Sequence, residues 1–266
     1  MAAATITITI TVMGMGMGMG MGICRVRNMI KTRMSICPDR GEPAEDLALL
    51  GLLQLVSPAL PIGAFAWSQG LESALELGWV RGRDGLAEWL GGVLEDGLSR
   101  GDLPVLQRIH VACDRADSES VSTWNDWLLA SRETAELYEE DIRLGAALRR
   151  LIAQLGLLGA GKVPVPEPAS YVTVFALIAH QRGVPARSAM LGFAWAWLEN
   201  QLAAACKAMP LGHMAAQEIV ECLRPVLPVV VDQALKLDDE LLGPTVPGLA
   251  LASTLHETQY SRLFRS

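Results

Sequence analysis

The sequence predicts an all-α protein, a single-domain bundle of about ten helices. Three observations favour this fold class. Apolar residues recur at helical spacing in long segments, glycines and prolines separate those segments, and residues 45–266 hold no sustained alternation of β-branched residues. The segment 186–208 shows the spacing well, because five of its side chains fall on one face at steps of three or four: Met190, Phe193, Trp197, Gln201 and Ala204.

Ten helices are expected in order along the chain. Their predicted bounds are 45–56, 64–77, 84–99, 103–116, 119–131, 133–155, 169–181, 186–208, 213–223 and 226–242. The segment 133–155 is the most charged, and Glu139 stands four residues before Arg143 in the order that stabilises an exposed helix face. Three prolines in residues 156–170 predict an extended loop. The sequence contains no internal repeat or clear linker, so residues 45–242 are expected to form one helical domain, followed by a C-terminal tail over residues 243–266.

Residues 1–44 differ from the rest of the chain in composition. Residues 13–22 read MGMGMGMGMG, and glycine at alternate positions disfavours a helix and weakens a strand. The segment also lacks the basic start and continuous apolar run of a secretory signal. We expect a low-complexity leader that is disordered or non-native. A copper(I) site made of methionine thioethers is the less favoured alternative, since thioethers are soft ligands.

Charge and composition restrict the classes of partner. The formal net charge is −7, the pI is near 5.2, and basic residues alternate with acidic ones, which disfavours nucleic acid as a partner. The mean hydropathy of +0.29 is high for a soluble protein, so we expect another chain to cover part of the surface in an oligomer or an obligate complex. The five cysteines form no C-x-x-C pair, which favours a reducing cytoplasm.

A membrane span is disfavoured although residues 47–71 carry no charge. Pro58 and Pro61 lie in the middle of this stretch, and two helix-breaking prolines would leave backbone groups unpaired in lipid. Two buried helices joined by a tight loop fit the sequence better. A membrane-peripheral helical protein that uses this apolar stretch remains an alternative.

Motifs for catalysis or metal binding are incomplete. Residues 156–162 match G-x-x-x-x-G-K, but Val163 replaces the hydroxyl residue of a phosphate-binding loop, and no strand is expected before it. Residues 97–101 match G-x-S-x-G around Ser99, yet a nucleophile elbow needs a strand-to-helix turn. The four histidines lie far apart in the sequence. We therefore assign no catalytic and no metal-binding residues, and a small helical hydrolase using Ser99 or a carboxylate stays as an alternative.

Two stretches are typical of contact surfaces. In SPALPIGAFAWSQGLE, residues 57–72, two prolines reduce the freedom of a loop that presents Phe65 and Trp67. In HETQYSRLFRS, residues 256–266, apolar anchors stand among basic donors. The anchors are Tyr260, Leu263 and Phe264, and the donors are Arg262 and Arg265. We expect the tail over residues 243–266 to become ordered when a partner binds.

Four stretches, in this order and spacing, resemble the urease accessory protein F family: LLQLVSPALPIGAFAWSQGLESAL, ASRETAELYEEDIRLGAAL, WAWLENQLAAACKAMPLGH and HETQYSRLFRS. The likeness covers residues 47–266. It implies an all-helical homodimer that acts as a non-catalytic urease maturation factor. Such a factor bridges accessory protein D or H and the nickel-carrying GTPase, accessory protein G, on apo-urease. The resemblance also implies that nickel passes through the complex without a resident site, so no cofactor is expected.

The resemblance assigns contact roles to particular residues. Glu72, Glu136 and Lys207 match charged positions that the family places toward the GTPase surface. Arg262 matches an arginine that holds the tail against the proline-glycine loop, the loop that contains Pro58, Pro61 and Gly63, with Phe65 as its expected neighbour. With Tyr260 of the tail, these are the six expected partner-binding residues. The chain departs from the family's pattern at residues 66–67, where Ala-Trp replaces a frequent Ser-Tyr, and at His213, where Gln is frequent.

Overall fold

Helices account for all the regular secondary structure in residues 44–157 and 163–265, the part of the chain that the computed structural model describes. The α-helices are α1 (Ala44–Leu55), α2 (Leu71–Glu76), α3 (Gly82–Gly92), α4 (Asp102–Asp114), α5 (Ser118–Ala130), α6 (Ala135–Gln154), α7 (Tyr171–Gln181), α8 (Ala186–Ala208), α9 (His213–Leu223), α10 (Val226–Ala234) and α11 (Pro247–His256). Two short 3-10 helices, Ala64–Ala66 and Asp239–Leu241, and a π-helix, Val93–Leu98, complete the described elements. The predicted all-α class is confirmed.

Short polar residues begin several of these helices. The side chains of Asp117, Thr134 and Ser170 accept hydrogen bonds from the backbone N–H groups of the first turns of α5, α6 and α7, at 3.0, 3.2 and 3.0 Å. Each such cap satisfies a donor that has no partner within the helix, and its removal typically costs about 1 kcal/mol. The caps place the start of α6, which carries Glu136, at a defined point.

The core is built around α4 and α7. α4 packs against α5, α7 and α8, and α7 also packs against α6. Phe175 of α7 and Phe193 of α8 stack edge to face with their ring centroids 5.3 Å apart. Gly145 allows the close approach of α6 to the start of α7, because a Cβ at this position would lie 2.2 Å from the Ala169 carbonyl oxygen. These contacts fix the positions of α6 and α8 in the core.

The helix predicted over residues 64–77 is wrong in its first half. The chain forms only a single 3-10 turn there, and α2 begins at Leu71. Gly63, Gln69 and Gly70 have φ angles of 83°, 53° and 75°, which an α-helix cannot accommodate. Gly70 is required for packing as well, since a Cβ there would lie 2.8 Å from the backbone nitrogen of Ser253 in α11. Because the helix does not extend through residues 67–70, the end of the proline-glycine loop packs against α11 at Gly70.

Two other predicted helices are shorter than expected. The segment 84–99 divides into α3 and the π-helix, and the segment 226–242 stops being α-helical at Ala234. At the π-helix, the carbonyl oxygens of Asp96 and Arg100 accept hydrogen bonds from the backbone N–H groups of Thr245 and Gly243, both at 3.0 Å. The carbonyl groups at the π-helix therefore bind the first residues of the C-terminal tail.

The C-terminal tail contains α11, a helix that was not expected from the sequence. Pro247 occupies the first turn, where its missing N–H costs nothing. α11 packs against α2 and α6, and its residues Ala252, Ser253 and His256 are buried. The expectation that a partner orders the tail stays a prediction.

Some expectations fall outside the described residues. These are the leader, apart from Ala44 at its end, the copper(I) alternative, and residues 158–162 of the G-x-x-x-x-G-K motif. Within residues 44–157 and 163–265, none of the helices has the length and apolar character to cross a membrane. Ser99 of the G-x-S-x-G match follows a π-helix, not a strand, and its hydroxyl donates to the Glu95 carbonyl oxygen.

Candidate partner-binding site

A buried histidine lies between two buried carboxylates at the junction of α2, α6 and α11. His256, the last residue of α11, is fully buried, and Glu72 and Glu136 are 7% and 8% exposed. The Nε2 atom of His256 lies 3.2 Å from Glu72 Oε2, and its Nδ1 atom lies 2.9 Å from Glu136 Oε2. We call these three residues the His256 cluster. It joins three helices that are far apart in the sequence.

The terminal segment, residues 257–265, is bound to this cluster. The backbone N–H groups of Leu263 and Phe264 donate to Glu72 Oε1 and Oε2 at 2.7 and 3.0 Å. The guanidinium of Arg262 donates to Glu136 Oε1 at 3.0 Å. Both carboxylates therefore hold the terminal segment as well as the histidine. Hydrogen bonds to ionised groups are roughly twice as strong as those between neutral groups.

Lys207 holds the same segment from α8. Its ammonium donates to the Leu263 carbonyl oxygen at 3.1 Å and lies 4.4 Å from the centroid of the Phe264 ring. A cation this close to an aromatic face is attracted by the ring quadrupole, by about 0.5–1 kcal/mol at an exposed site. Phe264 is 5% exposed. The charge of Lys207 is thus engaged by the chain's own terminal segment.

The terminal segment also contacts the proline-glycine loop. The backbone N–H of Arg265 donates to the Ala66 carbonyl oxygen at 2.8 Å. Arg262, for which Phe65 was the expected neighbour, directs its guanidinium to Glu136 and to two carbonyl oxygens of the segment. Phe65 and Tyr260 are left 74% and 105% exposed. We call the loop and the terminal segment together the tail–loop surface.

Burial and the neighbouring positive charges have opposite effects on the pKa of Glu136. Burial raises the pKa of the Glu136 carboxyl group, while the neighbouring His256 and Arg262 oppose that rise. An imidazole donates from both nitrogens only when it is protonated. In that state two carboxylates face one imidazolium and one guanidinium, and the four charges sum to zero.

Comparison with known proteins identifies the family. Residues 80–224 match the UreF family model. The urease accessory protein UreF of Psychrobacter cryohalolentis is 64% identical over 231 residues, which cover 86% of this chain and 98% of that protein. This chain belongs to the UreF family. The UreF proteins of Pseudoalteromonas translucida and Marinobacter nauticus are 62% and 63% identical, over 85% of this chain in both cases and 98% and 97% of those proteins. Membership places the chain among the urease accessory proteins.

A second polar network fixes the base of the loop in this UreF-family chain. The Gln69 amide nitrogen donates to Glu140 Oε1 at 3.0 Å, and its oxygen accepts from Trp197 Nε1 at 2.7 Å. Burial raises the pKa of Glu140 to about 8. The other Glu140 oxygen has no hydrogen-bond partner among the described residues. Gln69 is thus held in its positive-φ conformation by α6 and α8.

A buried ion network lies beside Glu140. The Arg132 guanidinium contacts the carboxylates of Asp102 at 2.7 Å and Asp141 at 2.8 Å, and Asp141 also accepts from the Tyr171 backbone N–H at 2.7 Å. These residues, Gln69 and parts of the proline-glycine loop line a cavity of about 220 Å³. The network joins the starts of α4 and α7 to α6, beside the cavity that parts of the proline-glycine loop line.

The structure brings together four of the six residues expected to bind partners: Glu72, Glu136, Lys207 and Arg262 all contact the terminal segment or belong to it. Phe65 and Tyr260 lie exposed on the tail–loop surface. Sequence reasoning missed His256 and Gln69. A signal for His256 existed, because it begins the HETQYSRLF stretch that carries part of the resemblance. Gln69 stands in a loop stretch whose positive φ the sequence did not indicate.

Proposed function

We propose that this chain is a non-catalytic urease maturation factor of the cytoplasm. In this role it bridges accessory protein D or H and the nickel-carrying GTPase, accessory protein G, and regulates nickel delivery to apo-urease. The observation that carries the proposal is the convergence of the residues expected to bind partners on one assembly, the tail–loop surface. Nickel is cargo that passes through the complex, and no resident cofactor or metal is assigned to the chain.

Within this surface, exposed and buried residues have different roles. Tyr260 is fully exposed, Phe65 is 74% exposed and Leu263 is 54% exposed, so these side chains are available to a partner. Aromatic side chains of this kind often dominate binding energy at interfaces. Glu72 and Glu136 are buried beneath the terminal segment, so they act by holding that segment in place. Lys207 is exposed although it contacts the terminal segment, so its positive charge also steers the approach of the GTPase to this surface.

We further propose that α1 provides the contact between two copies of the chain. Four leucines of this helix are 52–60% exposed: Leu47, Leu49, Leu50 and Leu53. Exposed leucines grouped on one short helix are typical of a surface that another chain covers. The patch supports the homodimer expected from the resemblance to the family. No nucleic acid and no membrane are assigned as partners.

Co-expression with the other urease accessory proteins, followed by size-exclusion chromatography, tests the bridging role. The full chain is expected to co-elute with accessory protein D or H and with the GTPase. Phe65→Ala combined with Tyr260→Ala is expected to reduce co-elution at least tenfold. Val229→Ala, at an exposed apolar position of α10, is the matched control and should co-elute like the unchanged chain. Normal co-elution of the double variant would contradict the proposed surface.

Assays for the two alternatives use the same preparations. A helical hydrolase would show a turnover that Ser99→Ala removes, and a membrane-peripheral protein would sediment with liposomes at moderate salt. We expect neither result.

A further inference from the structure

The His256 cluster contains more hydrogen-bond acceptors than a neutral imidazole can satisfy. A neutral ring has one N–H group and one nitrogen lone pair. Both ring nitrogens of His256 lie within hydrogen-bond distance of a carboxylate oxygen, at 2.9 and 3.2 Å. Without an additional proton, a nitrogen lone pair would face a carboxylate oxygen in a site from which water is excluded. The contacts of both ring nitrogens with carboxylate oxygens therefore require one proton more than a neutral imidazole and two carboxylates carry.

The charged groups around His256 lead to the same conclusion. Glu72 faces the ring from α2 and Glu136 faces it from α6. Arg262 reaches the site through its hydrogen bond to Glu136. Glu257, which follows His256 in the chain, adds a negative charge near Glu136. Removing the proton leaves a net negative charge among the four buried or partly buried groups, which is costly in a desolvated site. Burial raises the pKa of Glu136, so either the ring or this carboxyl group can carry the shared proton.

We propose that one proton shared by Glu72, His256 and Glu136 holds the terminal segment, residues 257–265, on the helical body. Loss of this proton as the pH rises releases the segment. The carboxylate that faces the deprotonated nitrogen has to turn away from it. If Glu72 turns, the N–H groups of Leu263 and Phe264 lose their acceptor, and if Glu136 turns, Arg262 loses its carboxylate partner.

The sign of the pH dependence follows from proton linkage. On this proposal, release of the segment exposes the cluster to water and gives up the shared proton, so a rise in pH favours release. For a single proton, the docking equilibrium constant falls by up to about tenfold per pH unit. The proposed proton dependence is a property of the isolated chain, whichever protein the segment binds. Its failure would leave the proposed partner contacts standing.

Hydrogen exchange at the two bound amides measures docking directly. Protection factors of the Leu263 and Phe264 amides, corrected for the intrinsic exchange rate, are determined on the full chain from about pH 6 to about pH 9. We expect clear protection at the acid end and a loss of at least tenfold at the alkaline end. The Ile109 amide in α4 serves as the internal control and should keep its protection. Equal protection of the two amides across the range, or no protection at the acid end, would overturn the proposal.

Glu136→Gln gives a sharper test because an amide can replace the missing proton. The Gln side chain can donate to Nδ1 of a neutral His256, while Nε2–H donates to Glu72, and the charges of Glu72 and Arg262 still balance. We expect this variant to stay docked at about pH 9 and to lose the pH dependence. Glu76→Gln, which removes a charge from an exposed position of α2 outside the cluster, should behave like the unchanged chain. A pH dependence in Glu136→Gln equal to that of the unchanged chain would overturn the proposal, and circular dichroism checks that each variant is folded.

Discussion

The backbone N–H of Leu263 donates to the Glu72 carboxylate at 2.7 Å, across a separation of 191 residues. This contact joins the end of the chain to the first turn of α2, directly after the proline-glycine loop. Lys207 then holds the Leu263 carbonyl oxygen from the other side, at 3.1 Å. Both polar groups of one tail residue are thus bound by charged side chains of the helical body, which is why single substitutions at those side chains are informative.

Glu72→Gln should release the terminal segment without unfolding the body. The Gln side chain offers one acceptor oxygen where Glu72 offers two, so it cannot serve Leu263, Phe264 and His256 together. We expect a loss of about 1–3 kcal/mol in the free energy of unfolding and faster proteolysis after residue 256. Urea denaturation and limited proteolysis measure these effects. Glu76→Gln, at an exposed position of the same helix, should change neither, and a Glu72→Gln protein as resistant as the unchanged chain would contradict the assigned role.

Lys207→Glu should weaken recruitment of the GTPase while leaving the helical content unchanged. The substitution places a carboxylate against the Leu263 carbonyl oxygen and the face of the Phe264 ring, and both contacts become repulsive. We expect a reduction of roughly tenfold in the amount of GTPase captured, with partial recovery in Lys207→Arg. Lys236→Glu, which reverses a charge at another exposed position, is the control. Undiminished capture by Lys207→Glu would count against this site.

Glu140→Gln should stabilise the protein at alkaline pH. Burial raises the pKa of Glu140 from its usual value near 4.5 to about 8, so the folded state holds a proton that the unfolded state releases. Stability is therefore lost as the pH rises from about 4.5 to about 8, and Gln removes this loss. We expect a gain on the order of 1–3 kcal/mol at about pH 8.5 and a much smaller gain at about pH 5, from urea denaturation. An equal effect at the two pH values would show that Glu140 does not titrate in this way.

Arg132→Met should be strongly destabilising. It leaves Asp102 and Asp141, which are largely buried, without their cationic partner, and breaking such a buried pair typically costs about 3–5 kcal/mol. Arg143→Met removes the partner of Glu139 from an exposed pair on α6, where the expected cost is about 0.5 kcal/mol or less. Thermal unfolding of the two variants should differ clearly. Similar melting temperatures would mean that the buried network contributes little.

Leu49→Glu combined with Leu53→Glu should abolish self-association. Both side chains are more than half exposed on α1, so the charges do not disturb the core, but they cannot be buried in a contact between two copies. Sedimentation velocity is expected to show a monomer for this variant and a dimer for the unchanged chain. Persistence of the dimer would exclude this face of α1 as the contact.

The sequence predicted the helical body well where helices are long and clearly bounded. α8 and α9 have the predicted bounds, because each lies between prolines and glycines and carries apolar residues at regular helical steps. The loop before α2 was misjudged, because Gly63, Gln69 and Gly70 adopt positive φ. The contacts that explain Gln69 and Gly70 are tertiary, to α6 and α8 for Gln69 and to α11 for Gly70. α11 itself was missed because its composition, with Pro247 and Gly248 at its start, reads as a loop.

The binding residues were predicted by resemblance, whereas their arrangement was not. Glu72, Glu136 and Lys207 were expected to face a partner, and nothing local in the sequence indicates that all three contact the terminal segment. His256 joins carboxylates that lie 184 and 120 residues away. Such contacts depend on how α2, α6 and α11 pack, and a single sequence contains no signal of that packing.

Removal of residues 257–266 tests the central claim, that the tail–loop surface recruits the other accessory proteins. The shortened chain is co-expressed with accessory protein D or H and the GTPase, and the complex is resolved by size-exclusion chromatography. The account predicts a folded helical body, by circular dichroism, that elutes without either partner. Co-elution of the shortened chain with both partners, in the same amounts as the full chain, would contradict it.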